Sequence, residues 1–280
     1  MPPVLTSPLV STQWLADHLG SDELVVVDAS VHSSGTGTAT RWASVRAAYD
    51  TVGHIRGAVF ADVRAAFSDP TAPIPFTRPN ATQFAAAIAD LGIGRDSTVV
   101  LYDDDISQWS SRMWWLFRAF GFDRVAVLNG GFRKWQAEGR PTRAGAMRGA
   151  PALPADPFTP PIERPSWTDR GHVERIATGA AAGALVCSID AVELGSEHPP
   201  LIPGSEIVSS RRLIDADTNA FHKPAVLSET FGPILDADEI VTYCGVGSNA
   251  CANALALTVL GHEHVRVYDG SLAEWWRYAE

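Results

Sequence analysis

The sequence is poor in cysteine, in long apolar runs and in positive charge. Its 280 residues include 3 cysteines, which form no C-x-x-C pair and no metal-ligand spacing, so we predict neither a disulfide framework nor a metal site. No run of about 18 apolar residues occurs, so we expect no membrane-spanning segment. The formal net charge of −10 argues against a nucleic-acid partner, because binding the phosphate backbone needs clustered Lys and Arg.

The N-terminal stretch also lacks a recognisable sorting signal. Residues 1–7 show no basic region followed by an apolar one, so we expect no secretory signal peptide. A reducing cytoplasm is the expected location, since it would keep a functional thiol reduced. No cofactor is predicted.

Short apolar runs alternate with amphipathic segments along the chain, which favours an α/β fold with a parallel sheet and helices on both faces. Residues 33–40 and 66–80 are predicted to be loops, and residues 53–60 a turn that leads into a short strand. The predicted strands of the first half are residues 24–28, 98–102 and 125–128, and its predicted helices are residues 11–19, 82–91, 110–120 and 132–138.

The order of elements repeats after residue 165. Residues 184–190, 201–208, 240–243 and 265–275 parallel residues 24–28, 54–60, 99–102 and 125–135. Between the two copies, residues 141–165 carry seven prolines and no hydrophobic periodicity, which is typical of an extended linker. We therefore predict tandem copies of one α/β domain: residues 1–141, a linker of residues 142–165, and residues 166–280.

The strongest chemical signal is Cys244, which follows the predicted strand 240–243 and precedes a predicted helix over residues 250–260. Gly245 and Gly247 allow the intervening loop to turn tightly, Asn249 is the expected N-cap, and Gly261 the expected stop. Backbone N–H groups and the positive end of the helix dipole would stabilise a thiolate there. We predict that Cys244 is a nucleophile.

The other two cysteines lack this setting. Free cysteines are commonly buried packing residues, and we expect neither Cys187 nor Cys251 to be the nucleophile. In the duplication, Asp103 stands where the second half has Cys244. Since a carboxylate cannot act as a sulfur nucleophile, we expect catalysis in the second half alone, with the first half as scaffold and one wall of a cleft. Near the C-terminus, Ser271 and Glu274 have the spacing of a capping box.

The chain resembles the two-domain sulfurtransferases of the rhodanese superfamily over nearly its whole length. The segments that carry the resemblance are residues 53–58, 112–121, 129–135, 244–249 and 268–271. The resemblance implies that Cys244 takes sulfane sulfur from a small donor, forms a persulfide and passes the sulfur to a thiophilic acceptor such as cyanide or a thiol. A thioredoxin-like reductant is a further implied partner.

The resemblance also implies that the six-residue loop Cys244, Gly245, Val246, Gly247, Ser248 and Asn249 surrounds the sulfur between the domains. Mercaptopyruvate enzymes of the family carry Cys-Gly-x-Gly, usually with Ser third, where this chain has Val246; thiosulfate enzymes tend to have basic residues after the cysteine. The family's arginine-rich donor segment corresponds to residues 190–196, which lack arginine here. Arg211, Arg212 and His54 are the alternative donor-binding candidates, and both donors stay open.

Three other functions would use a similar loop or the same fold. A cysteine phosphatase needs an arginine six residues after the cysteine to grip phosphate, and Ala250 occupies that position. A serine hydrolase needs G-x-S-x-G, but Ser248 is flanked at the two glycine positions by Val246 and Ala250. A non-catalytic sulfur-carrier or binding module with the same fold remains the alternative to an enzyme.

Overall fold

The computed structural model describes residues 3–35, 39–145, 151–189, 194 and 200–278. The strands of the first half are β1 (Leu9–Val10), β2 (Leu24–Asp28), β3 (Val31–Ser34), β4 (Arg41–Ser44), β5 (His54–Ile55), β6 (Val59–Phe60), β7 (Thr98–Tyr102), β8 (Val125–Leu128) and β9 (Thr142–Arg143). Those of the second half are β10 (Trp167–Thr168), β11 (Ala184–Cys187), β12 (Glu206–Ile207), β13 (Ile240–Tyr243) and β14 (Val265–Tyr268).

The helices at residues 46–51, 170–177 and 224–231 were not predicted from the sequence, whereas the other helices lie within a few residues of predicted ones. The helices are α1 (Thr12–His18), α2 (Arg46–Thr51), α3 (Ala81–Asp90), α4 (Gln108–Ala119), α5 (Gly131–Ala137), α6 (Arg170–Ala177), α7 (Pro224–Phe231), α8 (Ser248–Val259) and α9 (Ser271–Arg277). Short 3-10 turns cover Ser210–Leu213 and Gly232–Asp236.

Each half is built on a parallel sheet, and the two sheets have the same strand order. The first runs β1-β8-β7-β2-β6 and the second β10-β14-β13-β11-β12, with every neighbouring pair parallel. β7 in the first half and β13 in the second are the central strands of their sheets. The residue after each therefore lies in the middle of the carboxyl edge, where ligands bind in open α/β folds. The predicted tandem duplication and α/β fold are confirmed.

Alternation along the strands explains how the first sheet is covered on both faces. Val99 and Leu101 lie in the core cluster that contains α3 and α4 side chains. Val100, between them, belongs to a second cluster with Leu15 of α1 and Trp135 of α5. The larger cluster continues into the second half, and α4 packs against α8. The helices that follow Asp103 and Cys244 therefore meet at the interface between the halves.

Three local predictions were wrong. Asn249 is not an N-cap, because α8 begins at Ser248 after Gly247, whose φ is 84°. Ser271 and Glu274 form no capping box, since the Ser271 hydroxyl donates to the carbonyl of Tyr268 and accepts from the Cys244 N–H. Within the predicted loop 33–40, Ser33 and Ser34 belong to β3, which pairs antiparallel with β4; residues 36–38 lie outside the described part.

Candidate active site

Cys244 lies between β13 and α8, at the position that the sequence predicts. Its side chain is almost buried, with 2% exposure, and its Sγ accepts a hydrogen bond from the Gly247 N–H at 3.0 Å. The Cys244 N–H donates to the Ser271 hydroxyl at 3.1 Å, and its carbonyl accepts from the Leu272 N–H at 2.9 Å. The backbone N–H and carbonyl of Cys244 are thus both held by the first turn of α9.

The loop geometry depends on Gly247 because its φ of 84° is in the left-handed region, which costs other residues about 1–2 kcal/mol. This turn carries the chain from the sheet edge into α8 and aims the Gly247 N–H at the sulfur. The N-terminus of the 12-residue helix α8 follows at once and adds its partial positive charge. Both features favour an anionic sulfur.

The two remaining cysteines are buried away from the cleft. Cys187 ends β11 and is fully buried, with its thiol directed at the Ile189 carbonyl at 3.6 Å. Cys251 lies in the first turn of α8, and its S–H donates to the Gly247 carbonyl at 3.2 Å. Burial raises the pKa of the Cys251 thiol well above its ordinary value, despite the opposing charge of Arg112. Cys251 therefore stays protonated.

Asp103 occupies the matching position after β7, and its carboxylate is held in a cage of donors. It accepts hydrogen bonds of 2.8–3.1 Å from the backbone N–H groups of Asp105 and Ser107 in the following loop, and from the N–H groups of Trp109 and Ser110 and the Ser110 hydroxyl in the first turn of α4. Burial raises the pKa of Asp103 to about 6, and the hydrogen bonds from Ser110 oppose that shift. The first-half loop is thus a cradle for an anion that the chain itself supplies.

The second half closes this first cradle. The Asn219 side chain donates to the carbonyls of Asp105 and Gly130, at 2.7 and 3.2 Å, and the Phe221 N–H donates to the Asn129 side chain at 2.7 Å. Asp103 itself is fully buried. A small substrate therefore has no direct access to Asp103.

A cleft with a volume of about 880 Å³ opens over Cys244. Both halves contribute to its walls, as the sequence predicts for a site between domains. Of the predicted site residues, Cys244, Gly245, Val246, Ser248, Asn249 and Arg211 line it. The lining also includes residues that no sequence signal singled out, namely Arg41, Trp42, Ile74, Asp105, Gln108, Trp276 and Arg277.

Three predicted residues are not among the described lining residues. Gly247 lies behind the sulfur and contributes its N–H. Arg212 is exposed beside Arg211 on the 3-10 turn. His54 is buried in the first half, where its Nδ1 contacts the Tyr49 carbonyl at 2.9 Å and its ring stacks on Tyr49 at 3.8 Å between centroids.

Arg112 of α4 also reaches the site, and the sequence placed it only within a family motif. Its guanidinium is fully buried, and its Nη2 donates to Asp269 Oδ1 at 2.9 Å and to the Phe76 carbonyl. Asp269 follows β14 in the second half, so this ion pair joins the two halves directly behind the Cys244 loop.

Part of the site falls outside the described residues. The donor segment 190–196 is described at Leu194 alone, which lines the cleft. Within the described ranges, no group of three or more His, Cys, Asp and Glu side chains is placed to hold a metal ion. No helix in the same ranges has the length and apolarity needed to cross a membrane.

The sequence is similar to known proteins over nearly its whole length. The model of the rhodanese-like domain family matches residues 11–138 and 200–278. The thiosulfate sulfurtransferase of Rattus norvegicus is 35% identical over 296 residues, covering 99% of this chain and 94% of that protein. The 3-mercaptopyruvate sulfurtransferase of Escherichia coli (strain K12) is 30% identical over 284 residues, covering 96% and 95%.

Solved structures give the same picture. SseA of Escherichia coli, described as a 3-mercaptopyruvate sulfotransferase, matches with a TM-score of 0.81 and 29% identity over 95% of this chain and 99% of that chain. The Tum1 protein of Saccharomyces cerevisiae has a TM-score of 0.82 at 19% identity, over 99% and 97% of the two chains, and shows the fold alone.

Proposed function

The chain belongs to the rhodanese family and is a sulfurtransferase, and we propose that it moves a sulfane sulfur through a persulfide on Cys244. The donor is a small anion, thiosulfate or 3-mercaptopyruvate, and the acceptor is a thiophile such as cyanide or a thiol. The observation that carries the proposal is the Gly247 N–H on Cys244 Sγ, at 3.0 Å, beside a cleft between the halves.

The first step transfers one sulfur atom to Cys244. The thiolate attacks the outer sulfur of thiosulfate, an S–S bond forms to Cys244, and sulfite leaves with the electron pair of the broken S–S bond. With 3-mercaptopyruvate the thiolate attacks the thiol sulfur and the C–S bond breaks. Pyruvate leaves as its enolate, which takes up the proton of that thiol. In both cases the product on the protein is a persulfide anion.

The second step regenerates the thiolate. Cyanide attacks the outer sulfur of the persulfide, thiocyanate leaves, and Cys244 recovers its electron pair. A thiol acceptor reacts in the same way and becomes the new persulfide. A thioredoxin-like dithiol can reduce that persulfide: the dithiol becomes a disulfide, the acceptor thiol is regenerated and the outer sulfur leaves as hydrosulfide. Throughout, the chain must hold a sulfur anion at one position in a poorly solvated site.

The chain's own first half supports this role for the Cys244 loop. There the homologous loop directs backbone N–H groups at an anion, the Asp103 carboxylate. In the second half the side chain is one cysteine, and an outer sulfur would extend from it into the space enclosed by the loop. Donors fixed in advance stabilise such charge without reorganising.

The donor is proposed from the charge of the loop. Gly245, Val246 and Gly247 offer no fixed cation to the doubly charged thiosulfate, so the cleft must supply it from elsewhere. 3-Mercaptopyruvate carries one carboxylate and a ketone, and therefore demands less positive charge and more hydrogen bonding. We expect kcat/KM to be higher with 3-mercaptopyruvate than with thiosulfate, and a clear preference for thiosulfate would overturn this assignment.

The test of the proposal compares Cys244→Ser with the wild type in steady-state transfer from each donor to cyanide. We expect no transfer in the variant, because a hydroxyl cannot form a persulfide. Wild-type turnover in Cys244→Ser would refute the proposal. A wild type that loads sulfur once but does not turn over with either donor would instead indicate a sulfur carrier.

A further inference from the structure

The Arg112 guanidinium is buried in a way that an interdomain ion pair alone does not explain. It is fully buried, and two contacts, to Asp269 and the Phe76 carbonyl, both use Nη2. By geometry its Nε and Nη1 have no hydrogen-bond partner among the described residues; the guanidinium acts to lower the pKa of the neighbouring Cys251 thiol and its carbon lies 5.5 Å from the centroid of the Trp167 ring. Since an unpaired buried N–H costs about 1–3 kcal/mol, the position of the remaining guanidinium atoms calls for a separate reason.

Those atoms lie against the peptide that holds the proposed nucleophile. A Cβ added to Gly247 would be 2.8 Å from Arg112 Nη1, so the guanidinium fills the space that a side chain would need. The Gly247 N–H donates to Cys244 Sγ, and the Gly247 carbonyl accepts from the Cys251 thiol. Gly247 thus connects Arg112 with Cys244 of the loop and with Cys251 of α8.

The charge of Arg112 is also placed to act on the sulfur. Burial works against the charged form of Arg112, but Asp269, Cys251 and Cys244 all favour it, and the pKa of the guanidinium is raised. The described charged and titratable groups around the loop and cleft are Arg41, Asp105, Arg112, Arg211, Cys251, Asp269 and Arg277. Among these, Arg112 is a buried cation in contact range of Gly247.

We propose that Arg112, contributed by the first half, is a positioning residue of the Cys244 site: it holds the Gly247 N–H on the sulfur and stabilises the sulfur anion. The loop itself carries no cation, and Arg112 supplies that charge from behind, where it does not occupy the cleft. Asp269 orients the guanidinium and partly neutralises it. The first half is therefore part of the reaction machinery as well as a wall of the cleft.

The test measures the reactivity of Cys244 without requiring sulfur transfer. In the full chain, the rate of Cys244 alkylation by iodoacetamide is followed against pH, with the labelled peptide quantified by mass spectrometry. In Arg112→Gln we expect the pH midpoint of the rate to rise by about one unit, the lower end of the effect of a nearby opposite charge. In Asp269→Asn we expect it to fall, because the guanidinium keeps its charge and loses the anion beside it.

The matched control is Arg118→Gln, on the same helix. Arg118 is partly exposed and paired with Asp123 away from the site, so its removal should leave the midpoint unchanged. Thermal unfolding of every variant reports the structural effect separately. A purely structural ion pair would give the same direction of change in Arg112→Gln and Asp269→Asn, or none, and either result would overturn the proposal.

A second variant covers the case in which Arg112→Gln does not fold. Asp269→Asn then decides alone: a lowered midpoint supports the proposal, and an unchanged or raised one refutes it. Arg112→Lys, which keeps the charge, should have a midpoint closer to the wild type. We also expect Arg112→Gln to lower kcat/KM by about tenfold or more, and this expectation rests on the proposed function. The alkylation measurement does not depend on that function. Failure of sulfur transfer in the wild type would therefore not be mistaken for failure of this inference.

Discussion

Replacing Gly247 by alanine tests the geometry of the Cys244 loop at its most constrained point. The added methyl would lie 2.8 Å from Arg112 Nη1 and 3.0 Å from the Asp269 carbonyl oxygen, and both distances are shorter than a Cβ normally keeps from other heavy atoms. A backbone φ of 84° adds about 1–2 kcal/mol of strain for a residue with a Cβ. The loop must shift, and the Gly247 N–H then leaves Cys244 Sγ.

The size of the effect follows from the lost hydrogen bond. A hydrogen bond to a charged group contributes about 1.5–3 kcal/mol, which corresponds to about 1–2 units in the pH midpoint of Cys244 alkylation. The backbone strain of about 1–2 kcal/mol should lower the melting temperature by about 2–8 °C, since 1 kcal/mol corresponds to about 2–4 °C in a chain of roughly this size. We also expect kcat/KM for sulfur transfer to fall by about tenfold or more.

Gly245→Ala is the matched control for thiol reactivity and stability. A Cβ at Gly245 would meet nothing within 4 Å, and its φ is not in the left-handed region. Both variants therefore add one methyl to the same loop, but only Gly247→Ala should raise the midpoint and lower the melting temperature. Equal effects in the two variants would refute the role assigned to the Gly247 peptide.

Three further predictions concern residues around this loop. Cys187→Ser and Cys251→Ser should retain most sulfur transfer, since neither thiol lines the cleft. A serine hydroxyl at residue 251 can also still donate to the Gly247 carbonyl. Loss of turnover in a folded variant of either would contradict this prediction. Arg211→Ala should lower kcat/KM for the donor by about tenfold or more. Arg212→Ala should not, because Arg212 is outside the described lining of the cleft. Equal kinetics in both variants would show that Arg211 does not bind the donor. Burial raises the pKa of Asp103 to about 6 in the folded chain, so the contribution of Asp103 to stability is largest below about pH 4 and declines as the pH rises to 6. The unfolding free energy of the wild type minus that of Asp103→Asn should therefore fall over that interval. A value that rises with pH would contradict this argument.

Most of the fold could be predicted from the sequence because the two halves carry the same pattern. Continuous apolar runs at residues 24–28 and 98–102 predict buried parallel strands, and the structure has strands over both. The hairpin of β3 and β4 could not be predicted, since residues 33–40 are small and polar. Its strands are stabilised by pairing with each other, and the sequence alone gives no sign of that pairing.

The site shows the same division between local and long-range information. Cys244 was identifiable because a strand, two glycines and a helix surround it within about a dozen residues. The error at Asn249 arose because an amide is a common N-cap, whereas the left-handed turn here needs Gly247. Arg112 is 132 residues from Cys244 in the chain, and helical periodicity shows which residues are buried but not which of them meets the other half. Its position beside Gly247 follows from the packing of α4 on α8.

The central claim is that Cys244 carries the transferred sulfur, and peptide mass spectrometry after a single loading tests it most directly. The protein is mixed with equimolar 3-mercaptopyruvate or thiosulfate without acceptor, digested under conditions that preserve persulfides, and then compared with a sample treated with cyanide. We predict that the Cys244 peptide gains the mass of one sulfur atom with at least one donor, and that cyanide removes it as an equal amount of thiocyanate forms. Sulfur found on Cys187 or Cys251 instead, or turnover without any sulfur on Cys244, would contradict the account.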